Sequence, residues 1–174
     1  MLLAATNPCP CGMQDERCTC SETDLARHRR RVSGPLLERI DLIAFMRRTS
    51  DGGPLTTSAR ARERVLAARE LQRSRARDGD PYLNAEVPVS ALRTHAELDR
   101  RGARLLRRAA ERGLLSARGA ERVVRVARTI ADVQESSRVS AEHVGAAVAM
   151  RSAGALPPAP VERHPDRRLR ALGA

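Results

Sequence analysis

The chain has 174 residues and a net charge of +11, and every one of its 32 basic residues is arginine. Without lysine these residues cannot contain a P-loop of the form Gly-x-x-x-x-Gly-Lys-Ser/Thr, whose lysine reaches the β- and γ-phosphates. Aromatic residues make up 1% of a chain that is 41% hydrophobic, so a core of Leu, Val, Ile and Ala is expected, which favours helix on helix and leaves base stacking of the single-strand-binding kind unsupported.

Three stretches follow one another. Residues 1–53 carry the cysteines, residues 54–152 are arginine-rich with helical periodicity, and residues 153–174, with Pro157, Pro158, Pro160 and Pro165, read as a disordered tail. Leu2-Leu3-Ala4-Ala5-Thr6 looks like the end of a buried strand whose beginning lies outside these residues, and Asp41-Leu42-Ile43-Ala44-Phe45-Met46 looks like a second strand. Two short strands are not a stable sheet, so the core they belong to is expected to be missing, swapped or supplied by another chain. Ser58 can cap a helix running to about Arg77, with Val65, Ala68 and Leu71 inward and Asp78-Gly79-Asp80-Pro81 as its stop. A second helix spans about 95–112, with Leu98, Gly102, Leu105, Leu106 and Ala109 on one face and Gly113 closing it. Ser116 caps a third to about Glu135, with Val123, Val126, Ala127, Ile130 and Val133 inward. Ser140 caps a fourth, with Glu142 in its first turn. The expected class is mainly α, a partial α/β core with two short strands followed by a four-helix domain.

No stretch approaches the ~18 apolar residues of a membrane span, and Met1 to Thr6 is too short and uncharged for a signal peptide. A cytoplasmic protein is expected, with reduced cysteines unless they hold a metal. The charge has two readings of equal weight: a field that attracts nucleic acid or another polyanion, or an arginine codon bias on solvated helix faces.

The sharpest local signal is Cys9-x-Cys11-x6-Cys18-x-Cys20. Four thiols within twelve residues can close a tetrahedral zinc site, and with all four positions filled by sulfur the role is structural. One residue inside each pair is tighter than the usual two to four, and reduced free thiols or adventitious disulfides are the alternatives. Asn7 follows an apolar strand, where a side chain could position a water or a phosphate oxygen, although Asn7-Pro8 also reads as a turn. Arg39 stands at an element junction, where a guanidinium could reach a phosphate on a neighbouring subunit or pair with a surface acid. Arg118 lies in the first turn of its helix, where a cation is unfavourable and a counter-anion is a reasonable partner. Arg122 and Arg125 continue the same face, either with it or as a solvated stripe.

Several of these motifs occur together. Thr6-Asn7-Pro8-Cys9-Pro10-Cys11-Gly12, Cys18-Thr19-Cys20, Ser33-Gly34-Pro35-Leu36-Leu37-Glu38-Arg39-Ile40-Asp41, Leu115-Ser116-Ala117-Arg118-Gly119 and Val126-Ala127-Arg128-Thr129-Ile130-Ala131-Asp132 resemble, in order and spacing, the magnesium-chelatase-like AAA+ ATPases of the ComM/YifB type, over roughly residues 1–152. The resemblance implies that Asn7 is the sensor 1 asparagine, Arg39 the arginine finger acting on ATP of the adjacent subunit, and Arg118 the sensor 2 arginine on a helical lid. It implies a hexameric ring using ATP and Mg²⁺, and for the ComM proteins a DNA helicase activity that promotes branch migration in natural transformation. The Walker A and B segments and a protease-like domain are expected outside these residues, so no ATPase activity is expected from this chain alone. Magnesium insertion into a porphyrin gains no support from the sequence. The chain departs from the family at His28, where tyrosine is usual, at Ala120, where an aromatic is usual, and after Asp41, where alternating acids are usual. Two rival readings are an independent arginine-rich helical DNA-binding module and a non-functional gene fragment.

Overall fold

Short oxygen-bearing side chains set four of the helix starts among the described residues. In the computed structural model, which describes residues 2–13, 17–31, 34–46, 56–76 and 83–152, α1 (Glu22–Arg30) opens with a capping box. The Ser21 hydroxyl accepts from Asp24 N–H at 3.1 Å and the Asp24 carboxylate accepts from Ser21 N–H at 3.0 Å. A single turn, α2 (Gly34–Leu37), follows. Thr57, one residue before the expected Ser58, caps α3 (Ser58–Arg75) through Arg60 N–H. Next come α4 (Val89–Ala96), α5 (Arg100–Glu111) capped by Asp99, α6 (Ala117–Val133) capped by Ser116, and α7 (Ala141–Ser152). Two compact units divide after Leu37, the second beginning at Glu38.

The mainly helical class is the observed one. The helical region holds five helices, α3 to α7, where four were expected, because Val89–Ala96 forms a helix of its own and the helix expected from about residue 95 begins only at Arg100. Glu97 takes φ 49°, and Leu98 pairs in parallel with Val139, with Asp99 N–H donating to Val139 O at 2.9 Å and Val139 N–H to Glu97 O at 3.2 Å. The chain must leave the helix to make this bridge, and Asp99 restarts it. Gly113 ends α5 as expected, at φ 69°, with its N–H on Ala110 O and Leu114 N–H on Ala109 O, the paired bonds of a Schellman motif. At α7 the capping runs opposite to expectation, since Ser140 N–H donates to His143 Nδ1 at 3.0 Å.

Residues 2–7 and 42–46 carry no regular secondary structure. A strand needs a ladder partner, and among the described residues the Leu98–Val139 bridge is the sole β pairing. Leu3 and Met46 are accordingly 91% and 90% exposed. The expected stop at residues 78–81 and the tail at 153–174 lie outside the described residues. No helix among those described is long and apolar enough to cross a membrane.

In the second unit α6 is the central element, packed against α3, α4, α5 and α7. Val123, Ala127 and Ala131 of α6 are buried with Leu92, Leu106 and Val144. Only Ala68 and Gln72 of α3 are buried, so Val65, expected inward, stands half-exposed beside Leu66. The polar heart of this unit is Asp132, fully buried on α6. It accepts from Arg75, from Arg128 Nε at 3.1 Å and from Asn84 Nδ2 at 2.7 Å. His95 Nε2 meets Asn84 Oδ1 at 2.9 Å, and burial together with the neighbouring Arg75 charge lowers the His95 pKa, favouring the neutral ring as donor.

Candidate functional site

The first unit gathers the four cysteines. A turn with Gly12 N–H on Cys9 O at 3.1 Å folds the first pair back on itself, and Gly12 at φ 74° allows it without strain. The Sγ separations are 3.4 Å for Cys9–Cys11, 3.7 Å for Cys11–Cys18 and 3.8 Å for Cys9–Cys18, and all four sulfurs lie within 4.8 Å of one another. A tetrahedral ion with metal–sulfur bonds of ~2.3 Å requires sulfur–sulfur edges of ~3.8 Å, whereas a disulfide requires ~2.05 Å. All four thiols are free, and their spacing fits a metal. Leu25 of α1 packs on buried Cys9 and Cys20. Burial, then hydrogen bonds with the other three thiols, pushes Cys9 up to about 12, whereas backbone hydrogen bonds at Met13 and Thr19 bring Cys11 down to about 6. Cys11 is thus the sulfur already ionised at neutral pH.

Asn7 belongs to the same local structure. It is exposed, and a side chain built on Gly12 would lie 3.5 Å from its Nδ2. Its carbonyl accepts from His28 Nε2 of α1 at 2.8 Å. His28 stands where the resembling family usually has tyrosine, and either side chain can donate to that carbonyl. Because α1 starts two residues after Cys20 and reaches Asn7 through His28, the cysteine loop, α1 and Asn7 form one connected circuit.

Arg39 and Arg118 lie in the second unit, gathered around a residue whose role the sequence did not disclose. Arg151 of α7 donates from Nη1 to Ile40 O and from Nη2 to Glu38 O, each at 3.1 Å, gripping the backbone on both sides of Arg39. The same guanidinium covers Gly119, where an added Cβ would meet Arg151 Nε at 3.1 Å. Gly119 directly follows Arg118, so the absence of a side chain there lets Arg151 approach the first turn of α6. Two further ties hold residues 38–43 in place: an Arg122–Asp41 ion pair and Ile43 N–H on Met150 O at 3.0 Å. Arg39 and Arg118 are both exposed. The first turn of α6 contains no acid, and no carboxylate among the described residues pairs with Arg118.

Arg122 and Arg125 are not a solvated stripe. Arg122 pairs with Asp41, and Arg125 Nη2 donates to Val87 O at 3.0 Å. Asn7 is therefore brought together with the cysteines, and Arg39 with Arg118. Replacing Arg151 with alanine removes the donors of two carbonyls, and a loss of about 1–2 kcal/mol in local stability is expected. Hydrogen exchange at the Ile43 amide should accelerate by roughly 5- to 30-fold while exchange in the middle of α6 stays unchanged.

Sequence comparisons place these features in context. The family model for magnesium chelatase, subunit ChlI, matches residues 1–52, and that for its C-terminal region matches residues 55–151. An uncharacterized protein of Mycobacterium tuberculosis is 36% identical over 159 residues, which is 88% of this chain and 32% of that protein. Competence protein ComM of Haemophilus influenzae is 33% identical over 160 residues, 87% of this chain and 30% of its own length. Uncharacterized protein YifB of Escherichia coli is 34% identical over 158 residues, with shares of 87% and 30%. The chain spans about a third of the length of the curated relatives it matches.

Proposed function

Since the chain belongs to the magnesium chelatase ChlI family, we propose that it is the C-terminal portion of a ring-forming, cytoplasmic AAA+ ATPase of the ComM/YifB type that uses ATP and Mg²⁺ to act on DNA. Arg39 is the finger offered to nucleotide on an adjacent subunit of a hexamer, Arg118 is the sensor 2 arginine, and Asn7 orients the attacking water. The observation that supports this reading most is the Arg151 clamp. Two exposed guanidiniums are carried by segments that the Arg151 guanidinium bridges, by hydrogen bonds on one side and by packing over Gly119 on the other. Neighbouring positive charges suit the transition state of phosphoryl transfer, since catalysis there is positioning plus stabilisation of spread negative charge. These residues contain no lysine and so no P-loop lysine, and the paired arginines act on a site completed by other residues. Cys9, Cys11, Cys18 and Cys20 hold a structural zinc that keeps Asn7 and α1 in register.

The test joins this chain to the part of the Escherichia coli YifB relative that it does not match. The chimera is expected to hydrolyse ATP, and the 174-residue chain alone is not. Arg39→Ala should lower kcat by roughly 10³-fold or more with nucleotide binding retained. Full turnover by the Arg39→Ala chimera would remove the finger assignment.

A further inference from the structure

The exposed side of α5 carries a charge arrangement that the nucleotide site does not use. The helix and its C-cap hold Arg100, Arg101, Arg104, Arg107, Arg108 and Arg112, all exposed, against one acid, Glu111. Arg107 alone has a carboxylate in reach, at 3.6 Å, and the other five pair with none among the described residues. At ~100° per residue, Arg101, Arg104, Arg108 and Arg112 fall within a strip about 80° wide, and at ~1.5 Å per residue that strip is about 16 Å long. The opposite side, with Gly102, Leu106 and Ala109, is buried, so the strip's facing is fixed by the core.

Like charges held in line repel one another, and no carboxylate among the described residues pairs with these four. Duplex DNA matches the strip, with one negative charge per ~1.7 Å of its axis. α3 has as many arginines but interleaves Glu63 and Glu70 and pairs Arg73 with Glu70 and Arg75 with Asp132. The near absence of aromatics removes the stacking by which single strands are held.

We propose that the Arg101–Arg104–Arg108–Arg112 strip of α5 is a sequence-independent docking surface for the phosphate backbone of duplex DNA. The choice of DNA as occupant rests on the reading of the protein as one that acts on DNA. The strip itself needs neither nucleotide nor ring, so the two readings can fail separately.

Binding of a fluorescently labelled duplex to the 174-residue chain without ATP, measured by anisotropy across a salt series, tests it. Four phosphate contacts predict a slope of about −3.6 in log K against log salt, a loss of roughly 150-fold between 50 and 200 mM. The triple variant Arg101→Gln, Arg104→Gln, Arg108→Gln should reduce the slope by about 2.7 and leave a loss of only about 3- to 4-fold from the strip. A control with the same change in charge, Arg60→Gln, Arg62→Gln, Arg64→Gln on α3, should keep the slope within about 1 of wild type. Glutamine is tolerated at exposed helix positions, and circular dichroism melts confirm folding. If the triple variant does not fold, Arg104→Gln alone should still lower the slope by about 0.9. An unchanged slope in the α5 variant, an equal fall in the α3 variant, or tighter binding to a single strand of the same length would overturn the proposal. Any of these three outcomes leaves ATP turnover by the YifB chimera, and its dependence on Arg39, as a separate result.

Discussion

Asp132→Ala is expected to destabilise the helical unit by about 3–5 kcal/mol, because it leaves buried positive charge without its counterion. Arg128 and Asp132 are both fully buried, with Arg128 Nη2 3.0 Å from the carboxylate. Arg75 reaches the same carboxylate from α3, and Asn84 donates to it at 2.7 Å. The remaining Arg128 donors bind Ala96 O, Ser136 O and Ser137 O, so this side chain also closes α4 and the loop after α6. For a domain of this size each kcal/mol moves the melting temperature by about 4–8 °C, and a fall of roughly 15–30 °C follows. Arg75→Ala should cost less, because Arg75 retains 21% side-chain exposure and leaves the Arg128–Asp132 pair intact. Thermal melts followed by circular dichroism separate the two, and an Asp132→Ala melting temperature within a few degrees of wild type would refute the hub.

What could be read beforehand divides by the range of the interaction that decides it. Ser116 as a cap, Gly113 as a stop and the convergence of four cysteines depend on neighbours within a dozen residues, and each is visible as a short pattern. The break between α4 and α5 was not, since Glu97 has no turn-forming signature and the cause, Val139, lies about forty residues downstream. Arg151 carries no local signal of its role, because its partners Glu38 and Ile40 are 113 and 111 residues away. Gly119 was legible as part of a motif, but the reason for a missing side chain there is the guanidinium above it. Arg128 and Asp132 show an i, i+4 charge pair inside an apolar run, which in hindsight is a signal of burial. The segments 2–7 and 42–46 have strand-like composition without strand structure, since composition supplies the side chains of a sheet but not its hydrogen-bonding partners.

The cysteine loop is expected to bind one zinc per chain, and removing it should cost the first unit its order while the helical unit survives. The apolar support of the loop is small. Leu25 packs against Cys9 and Cys20, and full burial of one such side chain contributes only about 1.5–3 kcal/mol. Structural zinc sites contribute about 10–16 kcal/mol of apparent binding energy at pH 7, and that energy is folding energy. Protons leave as the metal enters, so affinity should rise with pH. Cys11, held near 6, is already ionised at neutral pH, and Cys9, raised to about 12, loses its proton to solvent only as the metal displaces it. The readout that reaches beyond the metal itself is His28, whose Nε2 holds the Asn7 carbonyl 2.8 Å away. A chelator should shift the His28 ring resonances and weaken that hydrogen bond, and Cys9→Ser should reproduce both effects without chelator. Protein that purifies without zinc and takes none up, or a His28 signal indifferent to its loss, would separate Asn7 from the metal and leave the four thiols as ordinary cysteines.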